Sequence, residues 1–419
     1  MNTKKLKDGI SVFDFSSLYK NEAEQRGRYL DALNEYEMLF GEGDGVSVFS
    51  VPGRCELLGN HTDHNGGKVL AAAIDRDVIA FAARTDDGKI TVKSKGYDIL
   101  EVALNEINDP ENFEKFTSSA LVAGVANGFL NKGYGVGGFS AYITSDVPKG
   151  SGISSSAAYE VMIGNIINHL YNGGRIDNVE IAKISQYAEN VYFGKPSGLM
   201  DQTACAVGGF VYIDFLDKDN PKIEPISFPL SESGYELCIV NTGGSHADLN
   251  DDYAAIPLEM KSVAAIFGKA VLSDSSESDI LSRVREIRNA CGDRALLRAI
   301  HFVRENARVE QAAQALKSGD VDKFFREVIA SGKSSFEYLQ NVYTVKSVRE
   351  QGLSVALALA DGNAAVIAHR VHGGGFAGTV EIFVRSDMID GFLSLVESVF
   401  GVSSVMRLNV RDAGAIRVI

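Results

Sequence analysis

A chain of 419 residues is too long for one small core, so two domains are the default expectation. Apolar content of 45% with 23% charged residues fits a soluble globular protein and excludes a disordered or fibrous one. The net charge of −14 argues against bulk binding of nucleic acid or an anionic membrane, although a local nest of backbone amides can hold phosphates on an acidic protein. There is no apolar run of about 18 residues to form a transmembrane helix. MNTKKLKDGISVFDF lacks the apolar core of a signal peptide. Cys55, Cys205, Cys238 and Cys291 are scattered without a CxxC pair, which predicts free thiols in a cytoplasmic setting.

Residues 16–40 read as a polar amphipathic helix that GEGDG closes. VSVFSV (46–51) reads as a strand entering the loop GRCELLGNHTDHNGG, and KVLAAAIDRDVIAFAART and KITVKS read as consecutive strands. GFSAYITSDVP is a further strand that runs into PKGSGISSSAA. In the helix that follows, Ala158, Val161, Met162, Ile166 and Leu170 share one face, with Glu160, Gly164, Asn168 and His169 on the other. A second helix is predicted from Asp177, with Glu180 placed for a capping box, to about Asn190. GGFVYIDF and ELCIVNT read as strands, 251–360 is helix-rich, and TVEIFVR and SVMRLNV are strands near the end. The reading is an α+β chain in two lobes, 12–217 and 218–419.

Three glycine-bearing loops carry candidate chemistry. In PKGSGISSSAA, glycines permit close backbone approach and three serines open a helix, which suits an anion at the positive end of the helix dipole or simply caps the helix. In GKPSGLMDQTACAVGG, Asp201 lies between glycine-rich turns and Met200, as a candidate general base or a helix cap. HRVHGGGFAGTVEIFV predicts close approach of backbone to a ligand or to another element. The polar run His61, Thr62, Asp63, His64, Asn65 admits a metal reading through His61, Asp63 and His64, but its spacing matches no standard zinc pattern.

GRCELLGNHTDHNGGKVL, PKGSGISSSAA, GLMDQ and GGGFAG, in this order, resemble the motifs of the GHMP small-molecule kinases, in the form typical of the galactokinase family. The likeness runs from about residue 12 to the end and includes NTGGSHADLNDDY and SSFEYLQNVYTV. It implies a two-domain GHMP fold, each lobe a mixed sheet with helices, and an active site in the cleft between the lobes. It also implies transfer of the γ-phosphate of MgATP to the anomeric hydroxyl of galactose. On that resemblance, Lys149, Gly150, Ser151, Gly152, Ile153, Ser154, Ser155 and Ser156 cradle the triphosphate. Ser156 and Glu189 match the magnesium positions, and Asp201 with Arg54 matches the catalytic pair. Asn60, His61, Asp63, Gly198, Asp201 and Tyr253 fall at sugar-binding positions. The partners implied are ATP and a sugar, without nucleic acid or membrane, for a monomer or weak homo-oligomer.

The sugar end departs from the family pattern. Asn60 stands for the glutamate that reads the hydroxyl at carbon 6, Glu56 for an asparagine, and His64 for a tyrosine. After Tyr253 the usual NxRR is AAIP. These changes leave open a kinase for another sugar, such as an amino sugar, a pentose or a 6-modified hexose. A non-catalytic ATP- and sugar-binding sensor is the alternative from another class.

Overall fold

The computed structural model describes residues 2–148, 152–244 and 249–419. Its strands are β1 (Ser47–Leu58), β2 (Lys68–Arg84), β3 (Lys89–Ser94), β4 (Ile99–Ala103), β5 (Phe139–Ser145), β6 (Phe210–Asp214), β7 (Lys222–Ile226), β8 (Tyr235–Asn241), β9 (Val366–Val371), β10 (Thr379–Arg385), β11 (Val405–Leu408) and β12 (Ile416–Arg417). Eight strands form one sheet in the order β12-β1-β2-β5-β3-β4, with β6 on β2 and β7 on β6. Its β3–β5 pair is parallel and its other pairs are antiparallel. The second sheet, β11-β8-β10-β9, is antiparallel throughout. β7 and β12 lie beyond residue 217 and still pair into the first sheet, so the chain crosses the expected lobe division more than once.

The expected strand from KVLAAAIDRDVIAFAART is one continuous element of 17 residues, β2, which is long enough to pair with β1, β5 and β6 along its length. The helix after the serine loop, Ser155–Tyr171, is not amphipathic in the expected sense. Glu160, Gly164 and Asn168 are buried like its apolar face, because β1 and β2 pack on it together with the helices Ser118–Asn131, Asn178–Tyr187 and Met200–Val207. The next helix is capped by Asp177, whose carboxylate accepts from Val179 N at 2.8 Å. Glu180 does not close a capping box; it pairs with Lys132 at 2.9 Å, a cross-helix contact that local spacing does not reveal. A helix at Thr3–Val12, missed in the sequence, packs on the helix Glu22–Phe40.

A buried carboxylate anchors this N-terminal region. Asp77 on β2 pairs with Arg28 at 2.6 Å and Arg411 at 3.0 Å, and it accepts from the hydroxyls of Ser50 and Tyr19. Asp77 and Arg411 are both fully enclosed. Removing one member of a buried ion pair strands the other charge in low dielectric, at a cost of about 3–5 kcal/mol. Asp77→Ala is therefore expected to lower the unfolding free energy by about that amount in urea titration, whereas a loss below ~1 kcal/mol would show that solvent reaches the arginines.

Candidate active site

β1 is buried along its whole length, yet it carries Arg54 and Glu56. Its ladder with β2 shifts register between Pro52 and Arg54 and again between Glu56 and Leu58. Proline supplies no amide hydrogen to the ladder, and such bulges re-aim side chains. Gly53 allows the serine loop to lie directly on the strand: a Cβ there would sit 3.0 Å from the Ile153 carbonyl. The same carbonyl accepts from Arg54 N at 3.3 Å.

The Arg54 guanidinium holds Asp201 through two parallel bonds, Nε to Oδ1 at 2.8 Å and Nη2 to Oδ2 at 2.6 Å. Its Nη1 donates to the Gly152 carbonyl, and the Ser154 hydroxyl donates to Asp201. Asp201 occupies the first turn of the helix Met200–Val207, where the dipole favours a negative charge. Burial pushes the Asp201 carboxyl up, but the Arg54 charge, the bonds from Ser154 and Arg54, and Lys195 bring it below its ordinary value. Asp201 is thus an anion at neutral pH, still partly open to solvent.

Beside it lies a polar group that the sequence does not announce. Gln202 donates from one amide nitrogen to Glu160 at 3.0 Å and to Glu189 at 2.8 Å. Lys195 reaches the other oxygen of Glu189 at 3.0 Å. Burial, and then the neighbouring Glu189 charge, push Glu160 well above the usual carboxylate range, so it holds a proton. Ser156 precedes Glu160 by one helical turn and shares its face. Glu160 and Glu189 thus meet on Gln202, the residue next to Asp201. The helical spacing of Ser156 and Glu160 was visible in the sequence; the Gln202 bridge was not.

The polar loop after β1 folds against the triple glycine. The carbonyl of Gly373 accepts from Asn60 Nδ2 at 2.6 Å, that of Gly374 lies 2.9 Å from His61 Nε2, and that of Gly375 accepts from the Tyr253 hydroxyl at 2.9 Å. The close approach expected of these glycines is thus to another element of the chain. Asn60 is enclosed and donates also to Glu56 at 3.0 Å, while its Oδ1 accepts from Asn341 at 2.6 Å and Ser335 at 3.5 Å. Two donors and two acceptor sites are then in use, leaving none for a sugar hydroxyl. Asn60 thus spends its side-chain hydrogen bonds inside the protein.

His61 Nε2 contacts the Gly374 carbonyl, and His61, Asp63 and His64 do not form a convergent ligand set among the described residues; burial lowers the His61 pKa, keeping it neutral. Asp63 packs against Gly198, where a Cβ would come within 2.6 Å of its Oδ2. Behind the loop, His301 bridges the Asn60 carbonyl and Ser334, and Glu305 accepts from Gly59 N at 3.0 Å. Neither was anticipated, since nothing in HFVREN distinguishes them. Lys149, Gly150 and Ser151 lie outside the described residues.

Comparison with known proteins places this geometry. The family model "GHMP kinases N terminal domain" matches residues 120–209, and "Galactokinase galactose-binding signature" matches 34–84. The galactokinase of Streptomyces coelicolor is 32% identical over 377 residues, covering 90% of this chain and 94% of that one. The chain belongs to the galactokinase family. The Lactobacillus helveticus galactokinase is similar at 31% over 383 residues, covering 88% and 93%. The Lactococcus lactis galactokinase complexed with galactose superposes with a TM-score of 0.79 at 25% identity, covering 93% of this chain and all of that one. The Methanococcus jannaschii mevalonate kinase, at TM-score 0.61 and 18% identity, shares the fold. This galactokinase-family chain is a phosphotransferase whose expected GHMP fold is present, and no helix among its described residues is long and apolar enough to cross a membrane.

The Arg54–Asp201 pair makes a prediction about pH. With Arg54 present, Asp201 protonates only below its ordinary value of 3.8, so activity is not lost through Asp201 until pH falls below that point. In Arg54→Met, burial remains and the compensating charge is gone. The acid limb of kcat/KM should then move above pH ~4, with kcat reduced by about 10²–10³ at every pH. An unmoved acid limb in the pH–rate profile would separate Asp201 from the titration.

Proposed function

We propose that the protein transfers the γ-phosphate of ATP to the anomeric hydroxyl of galactose, giving galactose 1-phosphate and ADP. The observation that carries this reading is the bidentate Arg54–Asp201 pair, held in place by Ser154 beside the serine loop. The sugar oxygen bonds to the γ-phosphorus as the bond to the β-phosphate oxygen breaks, and the hydroxyl proton passes to Asp201. A carboxylate held this low is a weak base. Asp201 orients the hydroxyl and accepts the proton late, as suits a loose phosphoryl transfer. Arg54 neutralises charge beside the reacting centre.

The donors Ser156 and Glu189 fit Mg²⁺, which takes hard oxygen ligands and leaves places for phosphate oxygens. Lys195 occupies one Glu189 oxygen, but its side chain is largely exposed and free to swing away. When bound, the ion would neutralise phosphate charge. The residues 149–156 are the proposed phosphate cradle, and 12–217 and 218–419 the proposed lobes. His61, Asp63, Gly198, Asp201 and Tyr253 are the proposed sugar contacts. The Tyr253 hydroxyl donates to the Gly375 carbonyl beside the polar loop. The free thiols suit a cytoplasmic enzyme.

ADP release with MgATP across galactose, 6-deoxygalactose, 2-acetamido-2-deoxygalactose, glucose and arabinose tests the reading. Galactose should be turned over, and Asp201→Asn should lose about 10²–10⁴ in kcat, with ATP affinity nearly unchanged. Sugar-independent or absent ADP release would defeat the proposal. Because Asn60 has no free hydrogen-bonding capacity, 6-deoxygalactose should fall within about tenfold of galactose in kcat/KM. A site that hydrogen-bonds that hydroxyl would instead reject it by about 10⁴.

The Glu56–Asn60 pair yields a second test. Asn60→Glu alone sets a carboxylate against Glu56 and the Gly373 carbonyl, with no donor between them. It should lower kcat/KM at least tenfold, and adding Glu56→Asn should restore most of the loss. A double variant no better than the single one would refute the pairing account.

A further inference from the structure

Cys55 on β1, His372 just after β9 and Glu381 on β10 meet where the two sheets adjoin, and phosphoryl transfer uses none of them. A thiol sulfur, a ring nitrogen and a carboxylate oxygen from the three lie within 4.8 Å of one another. All three are enclosed, with exposures of 0%, 2% and 0%. Cys55 Sγ lies 3.4 Å from Glu381 Oε2, and His372 Nδ1 lies 2.9 Å from the Thr379 hydroxyl. Among the described residues, His372 Nε2 and Glu381 Oε1 have no hydrogen-bond partner. Buried polar atoms are nearly always paired, so two orphaned atoms on residues of one cluster require an account.

We propose that Cys55, His372 and Glu381 form a binding site for a borderline-soft divalent cation of the zinc type. Sulfur, imidazole and carboxylate are the donors zinc accepts, whereas magnesium takes oxygen alone. If Nδ1–H of His372 donates to Thr379, the lone pair of Nε2 is free for the cation, which is the usual way an outer partner fixes a ligating histidine. Glu381 supplies one oxygen, so the three residues give three ligands and leave the fourth tetrahedral position to a water. Tetrahedral zinc with bonds of about 2.0–2.3 Å sets its ligand atoms about 3.3–3.8 Å apart, so the cluster needs to close by about 1 Å. A thiolate and a carboxylate balance the two positive charges of the ion. Burial raises both the Cys55 thiol and the Glu381 carboxyl, so the ion displaces a proton from each on binding; Arg54 and Arg370 beside Cys55, and Arg370 beside Glu381, offset part of that cost.

Such an ion would tie β1 of the first sheet to β9 and β10 of the second. It would also fix the His372 ring beneath the serine loop, where a Cβ on Gly152 would sit 3.3 Å from Nδ1. This inference does not depend on which sugar is phosphorylated, and its readout is independent of kinase activity.

The test uses the full chain, stripped with a chelator and titrated with Co²⁺. A thiolate-to-cobalt charge-transfer band should saturate at one cobalt per chain and disappear on addition of Zn²⁺. Cys55→Ser should abolish the band, while Cys291→Ser, at a partly exposed thiol far along the chain, should leave it intact. Thr379→Val, close in shape to the native residue, should weaken binding by about 10–100-fold. Glu381→Gln should weaken it at least tenfold, and both variants would be checked for native circular dichroism, so the test survives if Cys55→Ser fails to fold. No cobalt band in the folded wild-type chain, or a band unchanged by folded Glu381→Gln and Thr379→Val, would overturn the site.

Discussion

An arginine on a strand buried on both faces has to find its counter-charge inside the protein. Arg54 finds it in Asp201, which lies 147 residues away in sequence. The planar guanidinium fixes more than a distance: its two parallel bonds require the carboxylate to lie in its own plane, and its remaining nitrogen takes the Gly152 carbonyl. One side chain thus sets the relative positions of β1, the helix that starts at Met200 and the serine loop. A lysine would satisfy the charge without imposing this geometry.

The two ends of the site are supported differently. The residues around Asp201, from Arg54 to Gln202, come from the first half of the chain and hold one another. The polar loop after β1 also belongs to the first half, but its hydrogen bonds run to Asn341, Gly373, Gly374, His301 and Glu305. Burial pushes Glu305 up, yet Arg308 and its other partners hold it at about 2, while burial lowers His301 to about 4. The loop therefore rests on a charged carboxylate and a neutral imidazole.

Local signals in the sequence carried much of this. The helix after the serine loop, its neighbour capped by Asp177 and the strands around Phe210 and Cys238 follow from periodicity and caps. Motif resemblance placed Arg54, Asp201 and Glu189. What stayed hidden depends on pairing between distant segments: Asp77 with Arg411, Gln202 with Glu160, and Asn60 with Asn341. Asn60 shows why. Its residue type allows it to face a ligand or to saturate itself inside the protein, and only the positions of its partners decide between the two. The triple glycine likewise announced a close approach without saying to what.

The exchange of residue types at 56 and 60 has an electrostatic consequence. With glutamate at 56, a carboxylate lies inward of the sugar loop, 3.4 Å from Arg370, rather than on the loop itself. Glu381 lies near the same arginine, and Arg54 is already committed to Asp201. Two arginines thus serve three carboxylates, and one carboxylate is left without a full counter-charge. Burial pushes Glu381 up to about 8, with Arg370 opposing the shift and the Glu56 charge adding to it. At neutral pH it is Glu381 that takes up the proton. The charge balance of this seam therefore links the loop around Asn60 to the cluster of Cys55, His372 and Glu381 through Arg370.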